Sequence, residues 1–278
     1  MKKLLILLTL ASVLVGCSSA NCESQQPKEP RKIAVQMYTF HKFTLEDSIP
    51  LLKKAGITGL GLTAGQDISA KYPKLRVGPH MNAEQKAFLK KLIADNGCQI
   101  VSFGVTGAKD EAGIKAMCEF AKEMGIPILL TEAPAWQIPL WDKYCGENGI
   151  KMAIHNHAAD NKANNYYDPR VVKNLIKDCK NVYACPDNGH WSRAGIDSVF
   201  GYKTLEGKIA IVHFKDQKEF GNPKNQCVPF GTGALDMKGM LAELDRQGFD
   251  GYYLIEYEAE WDNPLPSVVK CYEYLKKN

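Results

Sequence analysis

From residue 32 onward, short apolar runs rich in β-branched residues alternate with longer stretches in which apolar and polar positions recur at helical spacing. The two patterns meet at glycines such as Gly56, Gly97 and Gly125, each of which lies between an amphipathic stretch and the next apolar run. Glycine just after a helix readily adopts the left-handed conformation that ends the helix. The pattern therefore predicts a repeated unit of one strand and one helix.

The number of apolar runs indicates the architecture. There are about eight predicted strands, at 33–37, 57–62, 99–103, 126–131, 150–155, 182–186, 209–213 and 252–256. Eight strands joined by helices are typical of an α/β fold of the (β/α)8 TIM-barrel type. An open doubly wound sheet gives a similar alternation with fewer strands, but no glycine-rich phosphate loop follows the first strand. Residues 32–278 are thus predicted to form one TIM-barrel catalytic domain.

The amino terminus has the pattern of an export signal. A positive start is followed by an apolar run over 4–15, which is too short to span a bilayer and has the length of a signal-peptide core. The run ends in Leu-Val-Gly-Cys, which resembles the lipobox of bacterial lipoproteins. That resemblance implies a signal peptide over 1–16, cleavage before Cys17 and a lipid anchor on the Cys17 thiol. The alternative is a plain secretory signal with an incidental cysteine.

The following segment, 17–31, is polar, contains proline and lacks periodicity, so we expect a flexible tether between a membrane and the folded domain. The expected location is the periplasm or cell envelope. Charges of both signs are mixed along the chain, with a net charge of +4 and no basic stripe, which argues against a nucleic-acid partner. The nine cysteines include no CxxC pair, and their spacing gives no disulfide connectivity.

Polar residues gather where the predicted strands end, which is where TIM barrels carry their chemistry. They are Glu132, His155, His157, Asp187, His190, His213 and Glu256. Any one of these histidines alone could be structural. Histidines and carboxylates that converge from adjacent strands, however, form a site for a divalent cation, and nitrogen and oxygen ligands suit manganese, cobalt or zinc. The set predicts one bound metal ion.

The same residues carry a family resemblance over 32–277. The chain resembles the sugar phosphate isomerase/epimerase family of xylose-isomerase-like TIM barrels in the order and spacing of its motifs. These are Gln36-Met37-Tyr38-Thr39-Phe40, His155-Asn156-His157, Asp187 with His190, Arg193 to Asp197, His213-Phe214-Lys215-Asp216, Gly231-Thr232-Gly233 with Asp236, and Ile255-Glu256-Tyr257. The resemblance implies that Asp187, His213 and Glu256 are metal ligands and that His190 contacts a substrate hydroxyl.

Two strand ends depart from the family pattern. Family members usually carry a glutamate that is both ligand and base at the end of strand five, where this chain has His155 as the candidate fourth ligand. Many also close strand two with a glutamate, where this chain reads Gly61-Leu62-Thr63. An epimerase of this family uses two glutamates, one on each face of the inverted carbon. Isomerisation or β-elimination on a sugar or keto-sugar therefore fits this chain better than epimerisation does.

General acid–base chemistry at a metal-bound carbonyl suggests a role for each remaining group. Glu256 is the candidate ligand and base, and Glu132 is a candidate second acid or base. Lys215 either donates to a developing oxyanion or pairs with Asp216 or a surface carboxylate. Arg193 either contacts a substrate hydroxyl or forms a salt bridge at a helix end.

Four tryptophans fall just beyond strand ends, where their rings either stack on a sugar or fill the mouth of the barrel. They are Trp136, Trp141, Trp191 and Trp261, of which Trp191 is the candidate substrate contact. Phosphorylated sugars are scarce outside the cytoplasm and no phosphate cradle is visible, so we expect a neutral substrate. The alternatives are a non-catalytic sugar-binding lipoprotein and a metallo-phosphodiesterase resembling endonuclease IV, which needs several metal ions. The sequence leaves the oligomeric state open.

Overall fold

A computed structural model of the chain describes residues 29–158 and 164–278. The predicted signal peptide, Cys17 and most of the predicted tether lie outside these ranges. Residues Arg31–Asn278 form one compact unit. Within the described ranges no helix combines the length and the apolar composition needed to cross a bilayer.

The described residues form strands β1 (Lys32–Gln36), β2 (Gly59–Leu62), β3 (Asp67–Ser69), β4 (Tyr72–Arg76), β5 (Gln99–Thr106), β6 (Ile128–Thr131), β7 (Lys151–His155), β8 (Val182–Cys185), β9 (Ile211–Phe214), β10 (Asp216–Gln217), β11 (Cys227–Val228) and β12 (Tyr252–Ile255). Eight of them lie parallel in the order β8-β7-β6-β5-β2-β1-β12-β9. Parallel bridges from Ala184 to Ile209 and from Asp187 to His213 join the first of these to the last. The predicted TIM barrel is therefore confirmed, and its eight strands coincide with the predicted runs to within three residues.

Helices cover the outside of the barrel. They are α1 (Leu45–Lys54), α2 (Ala83–Asp95), α3 (Glu111–Met124), α4 (Ile138–Asn148), α5 (Pro169–Ile176), α6 (Asn188–Arg193), α7 (Ser198–Thr204), α8 (Met237–Arg246) and α9 (Leu265–Lys277). Gly125 and Gly149 end α3 and α4 with φ of 70° and 68°, the left-handed conformation that the sequence pattern predicts. The apolar faces of the helices, including Leu52 of α1 and Val268 of α9, pack with outward-facing strand residues such as Val35.

A small apolar layer fills the barrel interior and supports the polar rim. It consists of Ala34, Val101, Leu130, Ala153, Cys185, Ile211 and Leu254. Alternate residues of a strand share a face. The residue two positions after an interior residue therefore also points inward, one layer higher, as His155 does above Ala153 and His213 does above Ile211. The polar strand ends thus stand on a packed apolar floor.

Two antiparallel strand pairs were not predicted. β3 pairs with β4 in the connection after β2, and β10 pairs with β11 in the connection after β9. These strands are two to five residues long and carry few alternating apolar positions, so the pattern that identifies a half-buried strand is absent from them.

Candidate active site

Four side chains converge at the carboxyl ends of β7, β8, β9 and β12. They are His155, Asp187, His213 and Glu256, the four residues that the sequence singles out as candidate ligands. One nitrogen or oxygen atom of each lies within 4.8 Å of such an atom in every other member, and all four side chains are buried. We call this group the donor cluster.

Individual distances show how closely the donor cluster is assembled. His155 Nε2 lies 3.4 Å from Asp187 Oδ2. His213 Nδ1 lies 3.7 Å from the same oxygen and 2.9 Å from Glu256 Oε2. Two imidazole nitrogens and two carboxylate oxygens form a donor set suited to a divalent first-row ion, and His213 Nδ1 is buried without a hydrogen-bond partner of suitable geometry. The residues present therefore fit a metal ion.

Gln36 is a neighbour of the donor cluster to which the sequence assigned no role. Its Nε2 donates to the carbonyl oxygen of Gly104 at 3.0 Å and lies 3.3 Å from His213 Nε2. The contact occupies His213 Nε2, the ring nitrogen that does not face the donor cluster. It therefore leaves Nδ1 as the nitrogen that faces Asp187 and Glu256, and Gln36 fixes the orientation of the ring.

The outer nitrogen of His155 is held by Glu132, which follows β6. Glu132 Oε1 lies 2.8 Å from His155 Nδ1 and also contacts His157 Nδ1. Burial would raise the pKa of Glu132, but its hydrogen bonds with His155 and His157 outweigh burial and lower that pKa to about 2. Burial would lower the pKa of His155, but its hydrogen bonds with Asp187 and Glu132 raise it to about 9. A carboxylate that holds the outer nitrogen of a ligand histidine fixes the ring for metal binding.

This position changes the interpretation of Glu132. The sequence suggests a second acid or base, whereas the structure commits its carboxylate to two imidazoles and leaves it outside the lining of the pocket described below. Its carboxylate contacts two imidazoles and is therefore poorly placed to take a proton from a substrate in the cavity. Its position is that of a residue that orients His155 and His157.

Lys215 lies among the carboxylates of the site. Its Nζ is 2.9 Å from Asp187 Oδ2, 2.8 Å from Glu256 Oε2 and 3.3 Å from Glu258 Oε2, and the side chain is 1% exposed. Burial would lower the pKa of Lys215, but the nearby carboxylates outweigh it and raise that pKa well above its ordinary value. Asp216, one of the predicted partners, does not pair with Lys215, because it accepts the backbone N–H groups of Gly231 and Gly233 instead. Nor does Lys215 line the pocket, so the predicted substrate contact is not formed in this arrangement.

Two asparagines tie the strand ends together. The Asn156 side chain donates to the carbonyl oxygen of Asp187 at 3.1 Å and accepts its N–H at 2.9 Å. Asn188 does the same for Lys215, at 2.5 Å and 2.9 Å. Each amide replaces a pair of backbone hydrogen bonds just where the regular strand has ended. Asp187 and Lys215 are therefore held by their main chains as well as by their charges.

A cavity of about 330 Å³ opens over the donor cluster. Its lining consists of Gln36, Tyr38, Thr63, Gly65, Gly104, Val105, His155, His157, His190, Glu256 and Glu258. This volume lies at the lower end of the range for small-molecule sites. Polar groups able to transfer protons thus face a space that admits a small polyhydroxylated molecule.

His190 is the clearest acid–base candidate on this surface. Its backbone N–H donates to Asp187 Oδ1 at 2.9 Å, which caps α6 and fixes the start of the helix. Its ring lies 4.4 Å from the His157 ring, centroid to centroid. Burial lowers the pKa of His190 well below its ordinary value, so the imidazole is neutral at neutral pH.

Trp191, a predicted substrate contact, does not line the cavity. The indole is fully buried and packs edge to face against Tyr202, and a Cβ on Gly201 would lie 2.4 Å from it. A short helix carries Trp191 away from the cavity, because residues adjacent in α6 point in different directions. The other predicted contact, Arg193, donates through Nε to the carbonyl oxygen of Pro223 at 2.9 Å and does not line the cavity.

The remaining tryptophans also lie outside the cavity wall. Trp141 is buried in the core, and Trp136 is 61% exposed. Trp261 packs against Tyr38, whose own ring lines the cavity. Among the described residues Tyr38 is therefore the tyrosine, phenylalanine or tryptophan that lines the cavity, and the sequence singled it out only as part of the motif on the first strand.

Fold and site together define a (β/α)8-barrel protein with a histidine–carboxylate cluster at the carboxyl ends of its strands. The chain belongs to the xylose isomerase-like TIM barrel family, whose model matches residues 49–277.

The curated relatives of the chain share one name. An inosose dehydratase of Geobacillus thermodenitrificans is 22% identical over 287 residues, which cover 85% of this chain and 90% of that protein. An inosose dehydratase of Clostridium perfringens is 25% identical over 147 residues, or 47% of this chain and 49% of that protein. In that match the chain spans about half the length of its relative.

Solved structures share the architecture. An uncharacterised protein of Parabacteroides distasonis superposes with a TM-score of 0.71 at 26% identity, over 89% of this chain and 98% of that one. A sugar phosphate isomerase/epimerase of the same organism superposes with a TM-score of 0.68 at 16% identity, over 94% of this chain and 99% of that one. At the lower identity the likeness concerns the fold alone.

Proposed function

We propose that this protein is a divalent-metal-dependent lyase that eliminates water from a neutral keto-sugar or cyclic keto-polyol. The observation that carries the proposal is the buried four-residue donor cluster beneath a cavity lined by a neutral imidazole. The relatives named as dehydratases favour elimination over isomerisation. The replacement of the family glutamate by His155 argues against two-base epimerisation.

His155, Asp187, His213 and Glu256 would hold the ion, with manganese, cobalt or zinc as the candidates. When bound, the ion would supply Lewis acidity that polarises the keto oxygen and makes the adjacent C–H bond acidic. Glu132 keeps Nε2 of His155 directed at the donor cluster. Asn156 keeps the backbone of Asp187 in register with β7.

His190 is the proposed base that removes the proton next to the carbonyl. Its imidazole faces the cavity and is neutral at neutral pH, so a ring nitrogen can accept a proton. Glu256 is less suited to this role than the sequence suggests. Its Oε2 is already paired with Lys215 Nζ at 2.8 Å and with His213 Nδ1 at 2.9 Å, so it is poorly placed to take a proton from a substrate. The proposed role of Glu256 is that of a ligand.

His157 is the proposed acid that protonates the leaving hydroxyl. Its Nδ1 is held by Glu132, which leaves Nε2 as the ring nitrogen for a substrate. The ring borders the cavity next to His190, and its side chain is 41% exposed, so it is open to solvent as well as to the cavity. An acid and a base on neighbouring strand ends are the two groups that β-elimination needs.

The test is incubation of the manganese-loaded protein in deuterium oxide with a panel of neutral keto-sugars and keto-polyols. NMR would follow deuterium incorporation next to the carbonyl, and mass spectrometry the loss of water. We expect both with wild type and a loss of about 10²–10⁴-fold in rate with His190→Gln. The matched control is His80→Gln, because His80 is an exposed loop histidine.

Each other outcome has a defined meaning. Full exchange by His190→Gln would show that another group is the base. Deuterium incorporation with isomerised product and no loss of water would assign an isomerase instead. Binding of a sugar with neither exchange nor product would favour the non-catalytic binding protein.

We further propose that the chain is an exported lipoprotein anchored through Cys17. The proposal rests on the lipobox-like end of the amino-terminal apolar run. Metabolic labelling with radioactive palmitate should label wild type and leave Cys17→Ser unlabelled. Equal labelling of both, or of neither, would contradict the proposal.

A further inference from the structure

We propose that Lys215 is an internal counter-cation that sets how tightly the donor cluster binds its metal. Its ammonium shares the oxygens that face the ion, so it weakens metal binding and also holds the donor cluster together when no metal is bound. The inference rests on the proposed metal site and concerns its affinity, which the proposed chemistry leaves open.

The first step of the argument is that Lys215 and the donor cluster share the same atoms. Asp187 Oδ2, which lies 3.4 Å from His155 Nε2, is 2.9 Å from Lys215 Nζ. Glu256 Oε2, which lies 2.9 Å from His213 Nδ1, is 2.8 Å from Nζ. An ion bound between the four donors would therefore meet two oxygens already in contact with a positive charge. Like charges at such short range repel, and the effect is strong where water is excluded.

The second step is that the chain is built to place this ammonium. A Cβ at position 189 would lie 2.6 Å from Lys215 Cδ and 3.0 Å from Lys215 Cβ, so Gly189 provides the space along which the side chain runs. Asn188 holds both backbone groups of Lys215. A buried ammonium is costly unless it is paired, and this one is paired with three carboxylates.

The third step is that a second position for the ammonium lies close by. Glu258 Oε2 is 3.3 Å from Nζ, and Glu258 borders the cavity outside the donor cluster. With a metal bound, the Lys215 ammonium would move from Asp187 and Glu256 toward Glu258. The negative charges of the three carboxylates would then balance the positive charges of the ion and of Lys215, and each carboxylate would keep a positively charged partner.

Isothermal titration of the EDTA-treated full chain with Mn²⁺ tests the inference. Lys215→Met should bind Mn²⁺ about 10–100-fold more tightly than wild type, whereas Lys91→Met, which removes an exposed lysine paired with Asp95, should not change the affinity. Without metal, Lys215→Met should unfold at a lower temperature than wild type, and saturating Mn²⁺ should close that gap. If Lys215→Met does not fold, Lys215→Gln replaces it in both measurements.

A double-mutant cycle with Glu258→Gln tests the second position of the ammonium. Glu258→Gln should weaken Mn²⁺ binding in wild type and have a smaller effect in Lys215→Met, because the ammonium that Glu258 receives is then absent. Equal effects in the two backgrounds would overturn the transfer to Glu258.

The outcomes separate this inference from the proposed function. Equal or weaker Mn²⁺ binding by folded Lys215→Met would overturn the role of Lys215 and leave the metal site in place. Binding by Lys215→Met and not by wild type would support the role of Lys215 and overturn the metal-dependent function proposed for wild type. Absence of Mn²⁺ binding in wild type and in both Lys215 variants would overturn the metal site and, with it, this inference.

Discussion

The side-chain amide of Asn156 bonds both backbone groups of Asp187, with distances of 3.1 Å to the carbonyl oxygen and 2.9 Å from the N–H. β7 ends at His155 and β8 at Cys185, so this contact continues the strand pairing after both strands have ended. The Asn156 side chain thus fixes the main chain at Asp187, and this places the Asp187 carboxylate near His155. The geometry of the donor cluster depends on a residue that provides none of its donor atoms.

Asn156→Ala should weaken Mn²⁺ binding by about 10–100-fold, the usual effect of losing a residue that supports a ligand. It should also lower the free energy of unfolding by about 1–3 kcal/mol, because two buried backbone groups lose their partners. Titration calorimetry and urea unfolding measure the two effects. Asn96→Ala is the control, since the Asn96 side chain donates to the Leu92 carbonyl oxygen at the end of α2. Unchanged metal affinity in Asn156→Ala would show that the strands alone position Asp187.

Glu132→Gln should reduce Mn²⁺ affinity by about 10–100-fold while leaving the cavity open, because the negative charge that holds His155 Nδ1 is lost. Equilibrium dialysis against Mn²⁺ gives the affinity. A matched variant, Glu123→Gln, removes an exposed carboxylate that pairs with Lys86 and should bind like wild type. Wild-type affinity in Glu132→Gln would mean that the neighbouring strand ends suffice to orient the ring.

The metal-free protein should lose stability as the pH rises from about 6.5 to about 9. The pKa of His155 is about 9 in the folded protein, against 6.5 for an ordinary histidine. The folded state binds this proton more tightly than the unfolded state, so its stabilising effect is complete below pH 6.5 and is lost as the pH rises through 9. On the acid side, the pKa of about 2 for Glu132 predicts a second loss as the pH falls from 4.5 toward 2.

Thermal unfolding in EDTA across this pH range checks the prediction. His155→Gln should flatten the alkaline part of the profile, although His213, whose pKa is also raised, keeps part of the slope. An alkaline slope equal to that of wild type in His155→Gln would contradict the assignment.

Trp191→Phe should cost stability and leave substrate binding unchanged. The fully buried indole packs on Tyr202 and Gly201. The smaller phenylalanine ring would leave a void there and lower the free energy of unfolding by about 1–3 kcal/mol. Urea unfolding gives the stability and initial rates give KM. The exposed Trp136, changed to Phe, should alter neither quantity by a measurable amount. A raised KM with unchanged stability would restore the substrate contact first predicted from the sequence.

The sequence predicts the fold and the donor cluster for the same reason. Alternate positions of a strand share a face, so a histidine two residues after an interior Ala153 or Ile211 must point inward once the barrel is recognised. The same rule applies to Lys215, two residues after His213, and could have placed it inside the barrel. It could not identify the three carboxylates around the ammonium, since they come from strands far apart in the chain.

Other features depend on tertiary contacts that no local pattern carries. Trp191 follows a strand end closely, but the turn of α6 decides its direction, and the glycine that receives its ring is ten residues later. The asparagines at 156 and 188 have no pattern that distinguishes a side chain bonded to a neighbouring strand from one in solvent. The strands at 216–217 and 227–228 form only because their connection folds back on itself.

The wall of the barrel is continuous except between β8 and β9, where isolated bridges replace a regular ladder, and one of these bridges pairs Asp187 with His213. An ion held by those two residues would link the ends of β8 and β9. The free energy of its capture would oppose opening of the cylinder at the place where few backbone bonds resist it. Bound metal would thus slow proteolysis of the folded chain, in addition to supporting turnover.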